Sequence, residues 1–367
     1  MNASGAVASK QTIQLQGSGA GTSGTISGTA ILDTTVAGEF TAQVYVSNAG
    51  GDSNLLTASF KISPFPWVAV SRMPTMRIMT TAVALGSRFY VLGGIDLTAN
   101  PFNGPSTAVA EIFDPVGGTW STGVPMPVPL SSLSAATING KIYVVAGNTA
   151  GLGTGPGCQA LSNVLGFDPV SGAWATKAVI PTPVYAAAAA AIGSKIYVVE
   201  GEVCPAGPTP TVRVYDTVSD TWSVAAPPFF AASGFVAGVV DGRIEALQGN
   251  STHLTQTEFD PVADAWAPLN GTTAVTAGAA TASVGAQLFA VGGLRPDIVA
   301  LSVEMAAYDR THDIWVPKER LPLTAVTPLV FTGPAGVQGP VADTYNGLIY
   351  AFGPLATWVY TPANDLN

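Results

Sequence analysis

Apolar runs of four or five residues, most of them ending in paired small residues, set the rhythm of this chain. Phe89-Tyr90-Val91-Leu92 runs into Gly93-Gly94; a polar stretch follows, and a second run ends at Phe113-Asp114, seven residues before Trp120. The unit returns at Tyr143 to Gly147 with Phe167, Asp168 and Trp174, and at Tyr197 to Gly201 with Tyr215, Asp216 and Trp222. It returns again at Glu245 to Gly249 with Phe259, Asp260 and Trp266, and at Phe289 to Gly293 with Tyr308, Asp309 and Trp315. A last copy, Tyr350 to Gly353, reaches Tyr360 and has no Trp after it, while Trp67 stands ahead of the first copy without an aromatic-Asp before it. Runs this short, rich in β-branched and aromatic residues and bounded by Gly, Asn and Asp, predict strands. Asn139-Gly140, Asp241-Gly242 and Asn346-Gly347 predict tight hairpin turns between them. Each copy therefore reads as four antiparallel strands, a to d. The glycine pair ends strand b, the aromatic-Asp ends strand c, and the Trp lies in strand d.

The first five copies recur every 44 to 54 residues, a period that predicts a β-propeller or another closed array. The order of strand, glycine pair, aromatic-Asp and Trp, over residues 64–362, resembles the Kelch repeat. That resemblance implies an all-β, six-bladed propeller in which each repeat is one four-stranded blade. It implies no activity, because propellers host enzymes, adaptors and adhesins alike. Trp67 and the Trp-less last copy complete one another. The strand at Trp67 is expected to be the outermost strand of a blade whose other three strands come from residues 340–361, which closes the ring and removes exposed edges. Each repeat Trp is expected to be largely buried between blades.

Residues 1–63 follow another pattern. Phe40, Ala42, Val44 and Val46 alternate with Thr41, Gln43 and Tyr45, and Leu56, Ala58, Phe60 and Ile62 alternate with Thr57, Ser59 and Lys61. The stretch from Asn48 to Asp52 joins the two runs as a hairpin. The hairpin resembles the closing strands of a bacterial immunoglobulin-like domain. A sandwich of that kind needs about seven strands, more than 63 residues supply, so an edge is left for the propeller or another molecule to cover. The expected layout is a partial Ig-like segment or assembly arm at 1–63, the propeller at 64–362 and a tail at 363–367. Strand donation from 1–63 to a neighbouring copy would make the chain a homo-oligomer.

Spacing separates the constrained side of the propeller from the free one. From each Trp to the next strand-b aromatic position is 23 residues in five cases and 35 in the sixth, and from strand-c aromatic to Trp it is always seven. From strand b to strand c the distance varies widely. In a four-stranded blade the b–c and d–a loops share one face, so all the variation falls there. Loops on a rigid scaffold usually carry function, and the working surface is expected on that face. On the other face, Arg88, Lys141, Lys195 and Arg243 recur beside the a–b turns, and the strand-c Asp residues are expected to cap turns or pair with them.

Composition narrows the partners. Charged residues are only 10% of the chain, and the net charge is −9 with a pI near 4.6. No basic field exists to draw phosphates, which excludes nucleic acid. The uncharged stretches are too short or too interrupted for a membrane-spanning helix. A surface of small uncharged groups is commoner in secreted bacterial proteins, so an extracellular or cell-surface location is expected. Residues 1–25 lack a basic segment and an apolar core, so Met1 is read as the start of a processed or truncated chain.

Candidate chemistry gathers where the repeats break their own rule. The first glycine's place holds Ala146, Glu200 and Gln248 in blades 2 to 4, and the residue after the second glycine is Asn148, Glu202 and Asn250. With His253 in the following loop, these are the expected ligand-binding groups, suited to a neutral polyol, a glycan or a protein. Phe102, Tyr185, Phe229, Phe230 and Phe331 are aromatic candidates on the same face. The alternative is a carbohydrate-active enzyme using Glu200 or Glu202, which would need paired carboxylates set about 5–10 Å apart across a sugar. The only two histidines, His253 and His312, fall on opposite faces, so no metal site or triad is expected, and no cofactor. The glycine-rich runs at 17–24 and 151–157 lack the helix a phosphate cradle needs. Cys158 and Cys204, both in b–c loops, are expected to form a disulfide in an oxidising compartment.

Overall fold

The computed structural model describes residues 16–18, 25–27, 38–44, 47–48, 51–52, 56–62, 66–98, 104–150, 159–199, 201–204, 206–229, 236–249, 254–273, 279–295, 300–301, 304–322, 341–353 and 356–362. Among the described residues the regular structure is β throughout, with no α-helix. The chain divides into two compact units, residues 1–66 with 363–366, and 67–362 with 367.

In the first unit Gly38–Val44 pairs antiparallel with Leu56–Ile62. Phe40 stands opposite Phe60, Ala42 opposite Ala58 and Val44 opposite Leu56. Ser47–Asn48 pairs with Gly51–Asp52 at the turn, and Gln16–Ser18 pairs with Thr25–Ser27. Two-stranded ribbons occur in many β folds and do not single out an Ig-like sandwich.

The second unit is a six-bladed propeller. Blade 1 runs Thr81–Leu85, Arg88–Leu92, Ala110–Asp114, Thr119–Thr122, and blade 2 runs Ser134–Ile138, Lys141–Val145, Val164–Asp168, Ala173–Thr176. Blade 3 is Ala188–Ile192, Lys195–Val199, Val212–Asp216, Thr221–Ala225, and blade 4 is Val236–Val240, Arg243–Gly249, Leu254–Asp260, Ala265–Thr273. Blade 5 is Ala280–Val284, Gln287–Val291, Met305–Asp309, Ile314–Lys318. Blade 6 takes Val341–Tyr345, Leu348–Phe352 and Thr357–Tyr360 from the end of the chain and Trp67–Ala69 from before blade 1. The inner strands touch one another in a closed circle, blade 6 meeting blade 1. Closure is made in the register Tyr360 opposite Trp67 and Trp358 opposite Ala69, and the Trp67 indole donates to the Glu319 carbonyl at 2.9 Å.

Residue size follows radius. Strand b is covered by a blade on either side, so Phe89 to Leu92 and Ile142 to Val145 are buried without alternation. Strand a lies where the blades converge and holds mostly Ala, Gly, Ser, Thr and Val. A Cβ on Gly238 would sit 2.3 Å from Leu288 Cδ1 of the next blade. Farther out, five of the six joints are aromatic contacts between strand b of one blade and strand c of the next. The pairs are Tyr90–Phe167, Tyr143–Tyr215, Tyr197–Phe259, Phe289–Tyr360 and Tyr350–Phe113, with ring centroids 5.7–6.1 Å apart. The joint between blades 4 and 5 lacks this pair, because Glu245 takes the ring's place.

The repeat tryptophans correct one expectation. Trp67 is buried, but Trp120, Trp174, Trp222, Trp266 and Trp315 are only half-buried, since strand d is outermost and leaves one side of the indole in solvent. Their role is still at the joints. Trp174, Trp222 and Trp266 donate to the carbonyls of Val124, Ala178 and Ala226 of the preceding blade, at 2.8–3.1 Å. The strand-c acids are turn caps. Asp114, Asp168, Asp216, Asp260 and Asp309 each accept two amides of their own c–d turn. Lys141 pairs with Asp168 and Arg243 with Asp260.

One ion pair holds the segment that leads from the closing strand into blade 1. Arg77 is fully buried and meets Glu111 at 2.7 Å. It also donates to the carbonyls of Gly93, Val91 and Val109, while Glu111 accepts the amide and hydroxyl of Thr75.

Candidate functional site

In blades 1 to 3 the b–c/d–a face is built by extending the a–b hairpin past a sharp bend. In blade 1, Arg77–Ile78 before strand a pairs with Ile95–Asp96 after strand b. Bridges Ser131–Asn148 and Tyr185–Glu202 repeat this in blades 2 and 3. The bend needs left-handed backbone at the glycine pair. Gly94 has φ +99°, and a Cβ there would come 2.6 Å from the Ile78 carbonyl, so the small-residue rule comes from close approach as well as from φ. Blade 4 does without the bend: its strand b runs on through Gln248, paired with Thr255, to Gly249, paired with Leu254.

Three non-glycine residues, Met79, Ser132 and Ala186, also adopt left-handed conformations two positions before strand a of blades 1 to 3. They are held by backbone bonds from blade to blade. The Ser132 amide donates to Met79 and the Ala186 amide to Ser132, both at 2.9 Å. In blades 1 to 3 the loops therefore rest on a frame cross-linked from blade to blade.

Inside that frame runs a central channel of about 410 Å³. Its walls are the six inner strands, mainly Ala, Thr, Ser and Val, and among the described residues Asp343 is its one carboxylate. Asp343 turns toward blade 1, accepting the Ala84 amide at 2.5 Å, and burial raises its pKa above the ordinary carboxylate value.

Of the expected ligand residues, Asn148 and Glu202 occupy equivalent places in adjoining blades. Asn148 is buried, and its side-chain oxygen accepts the amides of Ala150 and Gln159, both at 3.0 Å. It braces the two ends of the blade 2 b–c loop. Glu202 accepts the Tyr185 hydroxyl. Burial, and then that bond to a carboxylate, push the phenol well above its ordinary pKa, so Tyr185 stays a neutral donor. Glu200, Asn250, His253 and Cys158 lie outside the described residues, as does the side chain of Gln248. Phe102, Phe230 and Phe331 lie outside them too. Cys204, half-buried in the blade 3 b–c loop, is disulfide-bonded.

Sequence reasoning passed over Arg213. Its guanidinium is buried in blade 3 and donates to Thr211 at 2.8 Å, and desolvation lowers its pKa. An Arg inside an apolar strand-c run was the available signal. The d–a loops form the rim of the face. They expose Pro125, Pro127, Pro129, Pro181, Pro183 and Pro227, with Val124, Val179 and Phe229 at 44–57% exposure.

Residues 76–127 match the Kelch motif. The chain carries that motif on a six-bladed propeller. Kelch-like protein 25 of Xenopus tropicalis is 26% identical over 268 residues, 70% of this chain and 44% of that protein. Kelch-like protein terF of Aspergillus terreus is 25% identical over 343 residues, covering 83% of this chain and 73% of the relative. Kelch repeat and BTB domain-containing protein 12 of Danio rerio is 28% identical over 204 residues, 50% of this chain and 32% of its own length. Against the Xenopus and Danio proteins the chain spans less than half of the relative's length.

Proposed function

We propose that the chain is a non-catalytic binding module that holds a protein partner on its b–c/d–a face. The carrying observation is the rim itself, a set of proline-stiffened, largely uncharged d–a loops on a frame of inter-blade backbone bonds. Proline fixes φ, so such loops lose little entropy when a partner settles on them. Exposed Val124, Val179 and Phe229 supply apolar area, and the Tyr185–Glu202 pair supplies polar groups of fixed orientation. Kelch-like relatives agree with this reading, and one of them joins its repeats to a BTB domain, as its name states. An extracellular location and self-association through residues 1–63 belong to the same proposal. They rest on the low charge and on the apolar alternation of the hairpin sequence.

A glycan ligand is the second reading, favoured by the Tyr185–Glu202 pair, where a ring and a carboxylate meet at one mouth. Two panels of variants test the proposal. One changes the rim (Tyr185→Ala, Phe229→Ser), and the other changes the exposed c–d turn valines of the opposite face (Val116→Ser, Val170→Ser, Val262→Ser). A partner captured by the parent chain should be lost by the first panel and kept by the second. Loss through the valine panel places the surface on the wrong face. Binding of a glycan array by the parent, abolished by Tyr185→Ala, moves the conclusion to the second reading.

A further inference from the structure

Five of the six joints are closed by rings, and one is closed by charge. At the joint between blades 4 and 5, Glu245 is completely buried and its Oε1 accepts from Arg310 at 2.5 Å. Arg310 also meets Glu258 at 2.5 Å. Arg243 bonds the other Glu258 oxygen at 2.6 Å and reaches Asp260 at 3.0 Å. The second Glu245 oxygen accepts from the Gln256 amide at 2.9 Å, and the Gln256 oxygen accepts the Trp315 indole N–H at 3.0 Å. An indole only donates, so the amide can stand only one way round while that bond exists. Tyr308 closes the site from strand c of blade 5, and its hydroxyl donates to Asp313.

The charges here do not balance. Among the described residues of this network, Glu245, Glu258 and Asp260 are three carboxylates against two guanidiniums, Arg243 and Arg310. The surplus negative charge includes the one carboxylate with no solvent exposure, where an uncompensated charge is most costly. We propose that this joint is a proton-responsive hinge: a proton taken up by Glu245 neutralises the network and closes the joint, and losing it loosens blade 4 from blade 5. Trp315 is linked to Glu245 through the Gln256 amide, so its indole senses the charge on that carboxyl. The joint thus carries its own indicator.

Burial pushes Glu245 up to about 7, against the pull of Arg310 and with Glu258 adding to the rise. The closed joint therefore holds the proton more tightly than an open one. Its stability is fully present at acid pH and is lost as pH rises from the ordinary carboxylate range toward 7. The effect lies at the seam between two blades, where strand c of blade 4 and strand d of blade 5 separate first.

Amide hydrogen exchange on the whole chain, corrected for intrinsic rates, tests this at pH 5 and pH 8. Protection at residues 254–260 and 305–316 is expected to fall by about tenfold or more between them. The corresponding seam between blades 2 and 3, closed by Tyr143 and Tyr215, should not change. Glu245→Gln should hold the joint at its acid-side protection at both pH values, and Glu245→Phe, which restores the ring of the other joints, should do the same. A Trp fluorescence titration centred near 7 should vanish in Glu245→Gln and in Trp315→Phe, and persist in His312→Asn. An unchanged pH response in both Glu245 variants, its disappearance in His312→Asn, or an equal response at the 2/3 seam overturns the proposal.

Discussion

Replacing Arg77 by Met tests how the ring is held shut. The Arg77 side chain is inaccessible to solvent and that of Glu111 is 4% exposed, so the substitution strands a buried carboxylate. Breaking a buried pair from one side costs about 3–5 kcal/mol. Two features place the expected loss near the lower end. Glu111 keeps the amide and hydroxyl of Thr75, and Met has nearly the volume of the aliphatic stem it replaces. Against that, the carbonyls of Gly93, Val91 and Val109 lose a shared donor. We expect a destabilisation of about 3 kcal/mol in urea unfolding followed by tryptophan fluorescence. The double variant Arg77→Met/Glu111→Leu should recover most of it, because an apolar pair removes the stranded charge. A single-variant effect below about 1 kcal/mol, or a double variant weaker than Arg77→Met alone, would refute the view that this pair pins the closing segment.

Other consequences are open to direct measurement. Trp67→Ala removes a buried indole from the closing strand and should cost about 3–5 kcal/mol, read as a lowered unfolding midpoint; an unchanged midpoint would mean that the ring does not depend on its seam. Burial raises the pKa of Asp343, so its contribution to stability is present at low pH and lost as pH rises above the ordinary carboxylate range; Asp343→Asn, which keeps an acceptor for Ala84, should flatten that part of a thermal-unfolding profile from pH 4 to 8. Pairing of Cys158 with Cys204 would close a loop of 46 residues and stabilise the fold by about 4 kcal/mol; peptide mapping without reductant should find the linked peptides, and free thiols at both positions would exclude the pairing. Deleting residues 1–63 should lower the oligomeric state, read by light scattering as measured mass over chain mass, if that segment mediates self-association; an unchanged oligomeric state removes the idea.

The blades were legible because their signals are short-range. Strand b is a run of apolar residues between a tight turn and a glycine pair, and the fixed seven-residue step from Phe113 to Trp120 spans one hairpin. Ring closure was legible as a deficit, a Trp without a partner at one end and a partner without a Trp at the other. The joints were not, because Tyr90 and Phe167, or Arg77 and Glu111, meet through blade packing and loop folding that no local pattern encodes. Asn148 shows the same limit. A polar residue at a mouth reads as a ligand group, and only coordinates reveal that its oxygen holds both ends of its own loop. Glu245 was visible as a break in an aromatic column, but its partners Arg310 and Gln256 lie 65 and 11 residues away. The half-burial of the repeat tryptophans follows from strand d being outermost, a matter of radius rather than of sequence.

The most direct test of the binding face is hydrogen exchange on the chain alone and bound to its captured partner. Protection should appear in the d–a and b–c loops at 124–130, 179–187, 202–209 and 226–229, and the c–d turns at 114–118, 168–172 and 216–220 should exchange as in the free chain. Protection confined to those c–d turns, with the loops unchanged, would contradict the assignment of the b–c/d–a face as the working surface.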